Sequence, residues 1–131
     1  MTARTRRLAA AIVLTLATVL TGCASAGHPA GTDLITLTGT VRAAPACPGP
    51  ESLDSPCPPR PVDGATVDAD QGGHRVARTT TDGAGRFTLR LAAGTYQITA
   101  TNTGGIRSTA TTTATLPGTS DLTLVVDSGM R

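Results

Sequence analysis

From Ile35 onward, apolar and polar residues alternate with a period of two. Ile35, Leu37, Gly39 and Val41 are separated by threonines, Ala65, Val67 and Ala69 by Thr66 and Asp68, and Phe87, Leu89 and Leu91 by Thr88 and Arg90. Successive side chains of a strand point to opposite faces, so each run describes a strand with one dry face and one wet face. The pattern predicts strands at 33–43, 65–70, 75–81, 86–91, around Tyr96–Ala100, at 106–115 and at 120–127, the last burying Leu122, Leu124 and Val126. Gln71-Gly72-Gly73-His74, Thr81-Asp82-Gly83-Ala84-Gly85 and Ala92-Ala93-Gly94 punctuate them as turns. In the third strand Val76 and Ala77 compete for the inward face, which leaves its register open.

Seven strands in a segment of this length suit an all-β, antiparallel sandwich of two sheets. The 25 threonines agree, because β-branched residues fit the wet face of a pleated strand. With one Phe, one Tyr and no Trp, the core must be built from small aliphatic side chains. Helical periodicity is absent after Leu20.

The residues before this region follow another logic. Arg4, Arg6 and Arg7 precede an apolar run of 13 residues, Leu8 to Leu20, which ends in Thr21-Gly22-Cys23. A spanning helix needs about 20 apolar residues, and an Ala-x-Ala cleavage site is a poorer match than Leu20-Thr21-Gly22-Cys23. The stretch resembles the signal peptide and lipobox of bacterial lipoproteins. That resemblance implies a signal helix over residues 1–22, cleavage before Cys23, and acyl chains on the Cys23 thiol that hold the mature chain on the extracytoplasmic face of the cell membrane. The Arg6-Arg7 pair also raises twin-arginine export, although the residues around it lack the rest of that motif. Residues 23–32, small and polar with Gly and Pro, read as a flexible tether, and residues 33–131 as the domain.

Removing residues 1–22 takes away three arginines and no acid, leaving eight arginines against nine acidic residues, a net charge of −1. Interspersed charges of that kind carry no basic footprint for nucleic acid. All basic residues are arginine, so lysine Schiff-base and nucleophile chemistry is absent, as are Lys-Asn isopeptide cross-links. Once Cys23 is assigned to lipid, Cys47 and Cys57 form an even pair in an exported chain and are expected to join in a disulfide. Two thiolates with no nearby His or third Cys fall short of a zinc site. The segment between the first two strands, Ala43 to Asp63, holds this pair and seven of the nine prolines. A loop so long is either a docking surface or a stapled, rigid connection.

Gly39-Thr40-Val41, Gly64-Ala65 before Val67, Thr81-Asp82 followed by Gly85 and Phe87, and Gly94-Thr95-Tyr96 occur in an order that resembles the carboxypeptidase regulatory-like domains. The resemblance implies a prealbumin-like Greek-key sandwich, close to the carbohydrate-binding-like folds, and a noncatalytic accessory role. Asp82 is expected to hold an Asx turn, Gly85 to take positive φ, Phe87 to enter the core, and Tyr96 to pack inside with its hydroxyl capped by backbone.

Chemistry is sparse. A general base needs a histidine held in a site; His74 falls in a hairpin turn and His28 in the tether. Transthyretin-like hydrolases share the sandwich, but their histidine set and their Tyr-Arg-Gly-Ser ending are missing here, where the chain closes on Asp127-Ser128-Gly129-Met130-Arg131. Asp68 and Asp70 share a strand face, yet a calcium ion wants six or more oxygens. The expectation is a lipid-anchored, noncatalytic envelope module without cofactor or metal, presenting its loops to another envelope component. The alternative is a carbohydrate-binding module, which the shortage of exposed aromatic residues weakens.

Overall fold

The computed structural model describes residues 32–49 and 57–130. Among them are eight strands and no helix. Strand β1 (Ile35–Ala44) is the centre of the first sheet: β8 (Asp121–Asp127) lies on one side, and β5 (Arg86–Leu91) followed by β2 (Arg60–Pro61) on the other. The second sheet has the order β4-β3-β6-β7, with β3 at Thr66–Gln71, β4 at His74–Thr80, β6 at Gly94–Thr101 and β7 at Thr109–Leu116. The architecture is the all-β sandwich of two sheets.

Seven of the strands match the alternating runs. The eighth, β2, is a correction to reading Ala43–Asp63 wholly as a loop. Arg60 and Pro61 pair with Ala43 and Arg42 at a sheet edge, where a proline can sit because its missing donor is not called on. All pairs are antiparallel except β1 with β8, which runs parallel from Thr38↔Asp121 to Ala44↔Asp127. Alternation sets which face is dry but says nothing of strand direction.

The open register of the third strand is settled by a bulge. Ala69 faces Ala77 but Asp70 faces Arg75, which leaves Val76 as the extra residue. Val76 is accordingly 50% exposed, while Ala77 packs against the core.

The inward residues of both sheets meet in one core. Leu37, Val41, Val67, Ile98 and Val126 are its largest wholly buried side chains, joined by Phe87, Leu89, Leu91, Tyr96, Leu116 and Leu124. Leu122, expected inside, is only partly buried at the rim. Threonines cover the outer face of β6 and β7, where Thr95 and Thr115, and Thr99 and Thr111, bring their hydroxyls to 3.3 and 3.2 Å as cross-strand pairs.

Candidate functional site

The Pro/Cys segment singled out in the sequence leaves and returns at the C-terminal end of β1. Cys47 and Cys57 are joined by a disulfide. Both legs of the loop are also latched by side chains. The Arg42 guanidinium donates to the Pro59 carbonyl at 3.1 Å on the returning leg, and Arg60 donates back to the Ala46 carbonyl at 2.8 Å on the outgoing one. Ser128, just beyond β8, adds a backbone bond to Ala44 O at 3.0 Å and a hydroxyl bond to Pro45 O at 2.5 Å. Three separate parts of the chain thus hold the loop base, while Pro58, Arg60 and Pro61 stay exposed. Residues 50–56, the loop's outer part, lie outside the described residues.

The returning leg rests on the Thr81–Phe87 turn. Asp82 Oδ1 accepts from the backbone N–H groups of Ala84 at 3.0 Å and Arg86 at 2.9 Å, and the Arg86 guanidinium reaches Oδ2 at 3.3 Å. The Arg86 N–H, helped by that of Ala84 and by the Arg86 charge, holds the Asp82 carboxyl below the usual carboxylate range despite the opposing cost of desolvation. Gly85 has a φ of 73°, and a Cβ there would lie 2.5 Å from the Val41 carbonyl and 3.1 Å from Pro61 Cβ. Only glycine allows this approach. It lets β1 change partners, since Val41 N donates to Gly85 O at 2.7 Å and Val41 O accepts from Val62 N at 3.0 Å.

Thr81, 5% exposed, closes the junction. Its hydroxyl donates to Val62 O at 2.5 Å and accepts from Ala65 N at 2.9 Å. Phe87 then enters the core against Gly39, its register partner on β1. On the opposite sheet Tyr96 is buried, and its hydroxyl donates to Ala92 O at 2.8 Å.

Besides the latch arginines Arg42 and Arg60, two contributors had no role assigned from the sequence. Asn102 is buried after β6; its amide donates to Ile106 O at 3.1 Å and Asp127 O at 3.2 Å, and its Oδ1 accepts from Ser108 N at 2.8 Å. It ties the loop after β6 to the end of β8. Ser128 is the other. A lone Asn or Ser after a strand looks like any turn residue, and no local signal could have marked either one.

The residues with catalytic or metal-binding potential are not brought together. His74 pairs with Gln71 across a hairpin whose Gly72 and Gly73 both have positive φ, and its side chain is exposed. Asp68 is occupied by Arg78, which donates to both carboxylate oxygens at 2.6 and 2.9 Å, and by Arg75 at 3.2 Å. The Arg78 hydrogen bonds, reinforced by both guanidinium charges, draw the Asp68 carboxyl below its ordinary value against its partial burial. Among the described residues no three His, Cys, Asp or Glu cluster as a metal site. An open groove of about 450 Å³ is lined by Thr38, Thr40, Asp82, Arg86 and Asp121, but Asp82 is taken up by its own turn and Asp121 accepts from the Thr38 hydroxyl at 3.4 Å. Cys23, His28 and residues 1–22 lie outside the described residues, as does the tether up to residue 31.

A family model of the carboxypeptidase regulatory-like domain matches residues 58–127, more than half of the chain. The chain belongs to the carboxypeptidase regulatory-like domain family. No curated protein matches it. The family is noncatalytic. The matched span holds Gly64-Ala65, the Thr81–Phe87 turn and Gly94-Thr95-Tyr96, and it starts directly after Cys57. Strand β1 and the outgoing leg of the Pro/Cys loop precede it, although β1 supplies the centre of the first sheet. The latched loop thus joins β1 to the start of the matched region.

Proposed function

We propose that this protein is a lipid-anchored, noncatalytic envelope module whose carboxypeptidase regulatory-like sandwich presents the disulfide-closed Pro-rich loop to another envelope protein. The observation that carries the reading is the double latch of Arg42 on Pro59 and Arg60 on Ala46 around Cys47–Cys57. The two legs held this way at the loop base have already lost most of their conformational freedom, so docking them costs little further ordering entropy. Exposed prolines next to them are stiff for the same reason. Anchoring rests on Leu20-Thr21-Gly22-Cys23 and the basic, apolar stretch before it. Two or more acyl chains, at about 0.8 kcal/mol per buried CH₂, give a stable hold on the bilayer.

Two experiments test the two halves. Metabolic labelling with an alkynyl fatty acid should mark the wild-type chain and leave Cys23→Ser unmarked; an unlabelled wild type that washes into the medium removes the anchor. In-cell photo-cross-linking from position 58, followed by mass spectrometry, should recover the same protein repeatedly; recovery of random neighbours removes the docking role. The carbohydrate alternative places a sugar in the groove beside Asp82 and Arg86. It is the weaker one, because Phe87 in that groove is only 3% exposed and offers no stacking platform. Saturable binding to one sugar class on a glycan array would reverse this preference.

A further inference from the structure

The four outer strands of the two sheets differ in how they are protected against pairing with another strand. A regular, uncharged, unobstructed edge is a template for strand addition, and proteins blunt such edges with charge, proline or a bulge. β4 carries Arg75, Arg78 and the Val76 bulge. The β5–β2 edge carries Arg86, Arg90 and Pro61. β8 has an aspartate at each end, so antiparallel self-pairing would set Asp121 against Asp127 of a second copy. β7, Thr-Ala-Thr-Thr-Thr-Ala-Thr-Leu, has no charge, no proline and no bulge in its eight-residue register with β6.

Its main chain is also available. Ser108 O accepts from Asn102 N, and Thr115 O accepts from Thr119 N on the opposite side, which fixes the alternation along the strand. Ala110, Thr112 and Ala114 turn their backbone groups to β6, and Thr109, Thr111 and Thr113 turn theirs to the open edge. Thr119 covers only Thr115, through its N–H and hydroxyl. Among the described residues nothing bonds to the outward groups of Thr109, Thr111 and Thr113.

We propose that β7 pairs antiparallel with β7 of a second copy about a two-fold axis at Thr111, joining the two second sheets into one continuous sheet. The outward residues are self-complementary in this register, with Thr111 opposite Thr111 and Thr109 opposite Thr113 of the other copy, for about six main-chain hydrogen bonds. Side chains agree with it. Threonine pairs already bridge β6 and β7 at Thr99–Thr111 and Thr95–Thr115, and the new junction repeats that chemistry with no charge to desolvate. The occupant is a second copy because the edge complements itself. This inference does not depend on the envelope partner, since β7 and the Pro/Cys loop are separate surfaces.

The test uses the full chain in mild detergent. Sedimentation should show a concentration-dependent dimer, and Thr111→Lys, which sets two like charges opposite each other at the axis, should abolish it without changing the thermal melt. Thr111→Cys should form an inter-copy disulfide under mild oxidation, since directly opposed residues of a bonded pair lie about 5.5 Å apart. Thr103→Cys, exposed in the loop after β6, should not. A wild type that stays monomeric at high concentration, a dimer that survives Thr111→Lys, or equal cross-linking at positions 103 and 111 overturns the proposal. If Thr111→Lys lowers the melt, the cross-linking pair still decides.

Discussion

Phe87 lies directly against Gly39. The two are register partners on β5 and β1, and a Cβ on Gly39 would come within 2.5 Å of Phe87 Cζ and 2.7 Å of the Leu122 carbonyl. The missing side chain on β1 makes room for the only phenylalanine, and so for the bulkiest apolar group of a core otherwise made mostly of aliphatics.

Gly39→Ala is therefore expected to destabilise the domain by about 1–3 kcal/mol through overpacking. Phe87→Ala should cost about 3–5 kcal/mol through the cavity it leaves. Because the two residues touch, the double variant should cost clearly less than the two losses added. Urea unfolding of all four proteins measures this, and strict additivity would separate the two positions.

Stability should fall in acid. The carboxyls of Asp68 and Asp82 are held below their ordinary value in the folded chain, by the Arg78 hydrogen bonds and by the Arg86 backbone N–H respectively. A depressed folded value means that the contribution is fully present above the unfolded carboxylate pKa, about 3.9, and is lost as pH drops below it towards the folded values. Melting temperature should thus be flat near neutrality and decline below about pH 4. Asp82→Asn should shallow that decline, and an unchanged acid limb would count against the assignment.

Reducing the Cys47–Cys57 disulfide frees a closed loop whose ends are 10 residues apart, worth about 2.8 kcal/mol in the chain-entropy picture. The Cys47→Ser, Cys57→Ser double variant should show the same loss with or without reductant. The wild type should show it only with reductant, as a drop in melting temperature.

Asn102→Ala removes the partner of the Ile106 carbonyl and of the Ser108 N–H, and leaves the Asp127 carbonyl with the Ser108 hydroxyl alone, at a part-buried junction. Each unsatisfied group costs about 1–3 kcal/mol where water cannot reach it. Faster hydrogen exchange should appear first in 102–108 and at the end of β8, and exchange unchanged there would show that Asn102 is not the tie.

Much of this architecture was legible along the chain because burial in a sheet is a local rule of two. Leu37, Val41, Val67, Leu89, Leu91, Ile98, Leu124 and Val126 all sit on the dry face that their neighbours imply. The turn at Thr81–Phe87 was legible too, since an Asx turn and a positive φ are decided within five residues. Leu122 and Val76 show where the rule stops. Leu122 alternates correctly but stands at the rim, and Val76 is displaced by a bulge that only its partner strand reveals.

The strands, their dry faces, the turn chemistry and the cysteine pair were readable along the chain, because each depends on residues within about 10 positions of one another. It took the closed fold to settle that β8 runs parallel to β1, that Gly85 lets β1 exchange β5 for β2, that Arg42, Arg60 and Ser128 clamp the base of the Pro/Cys loop, and that among the described residues no strand pairs with the outer edge of β7. Those features join residues as many as 84 positions apart, Ala44 and Ser128. Hydrogen bonds and close approaches of that kind carry no period in the chain, and they exist only once the two sheets have closed on each other.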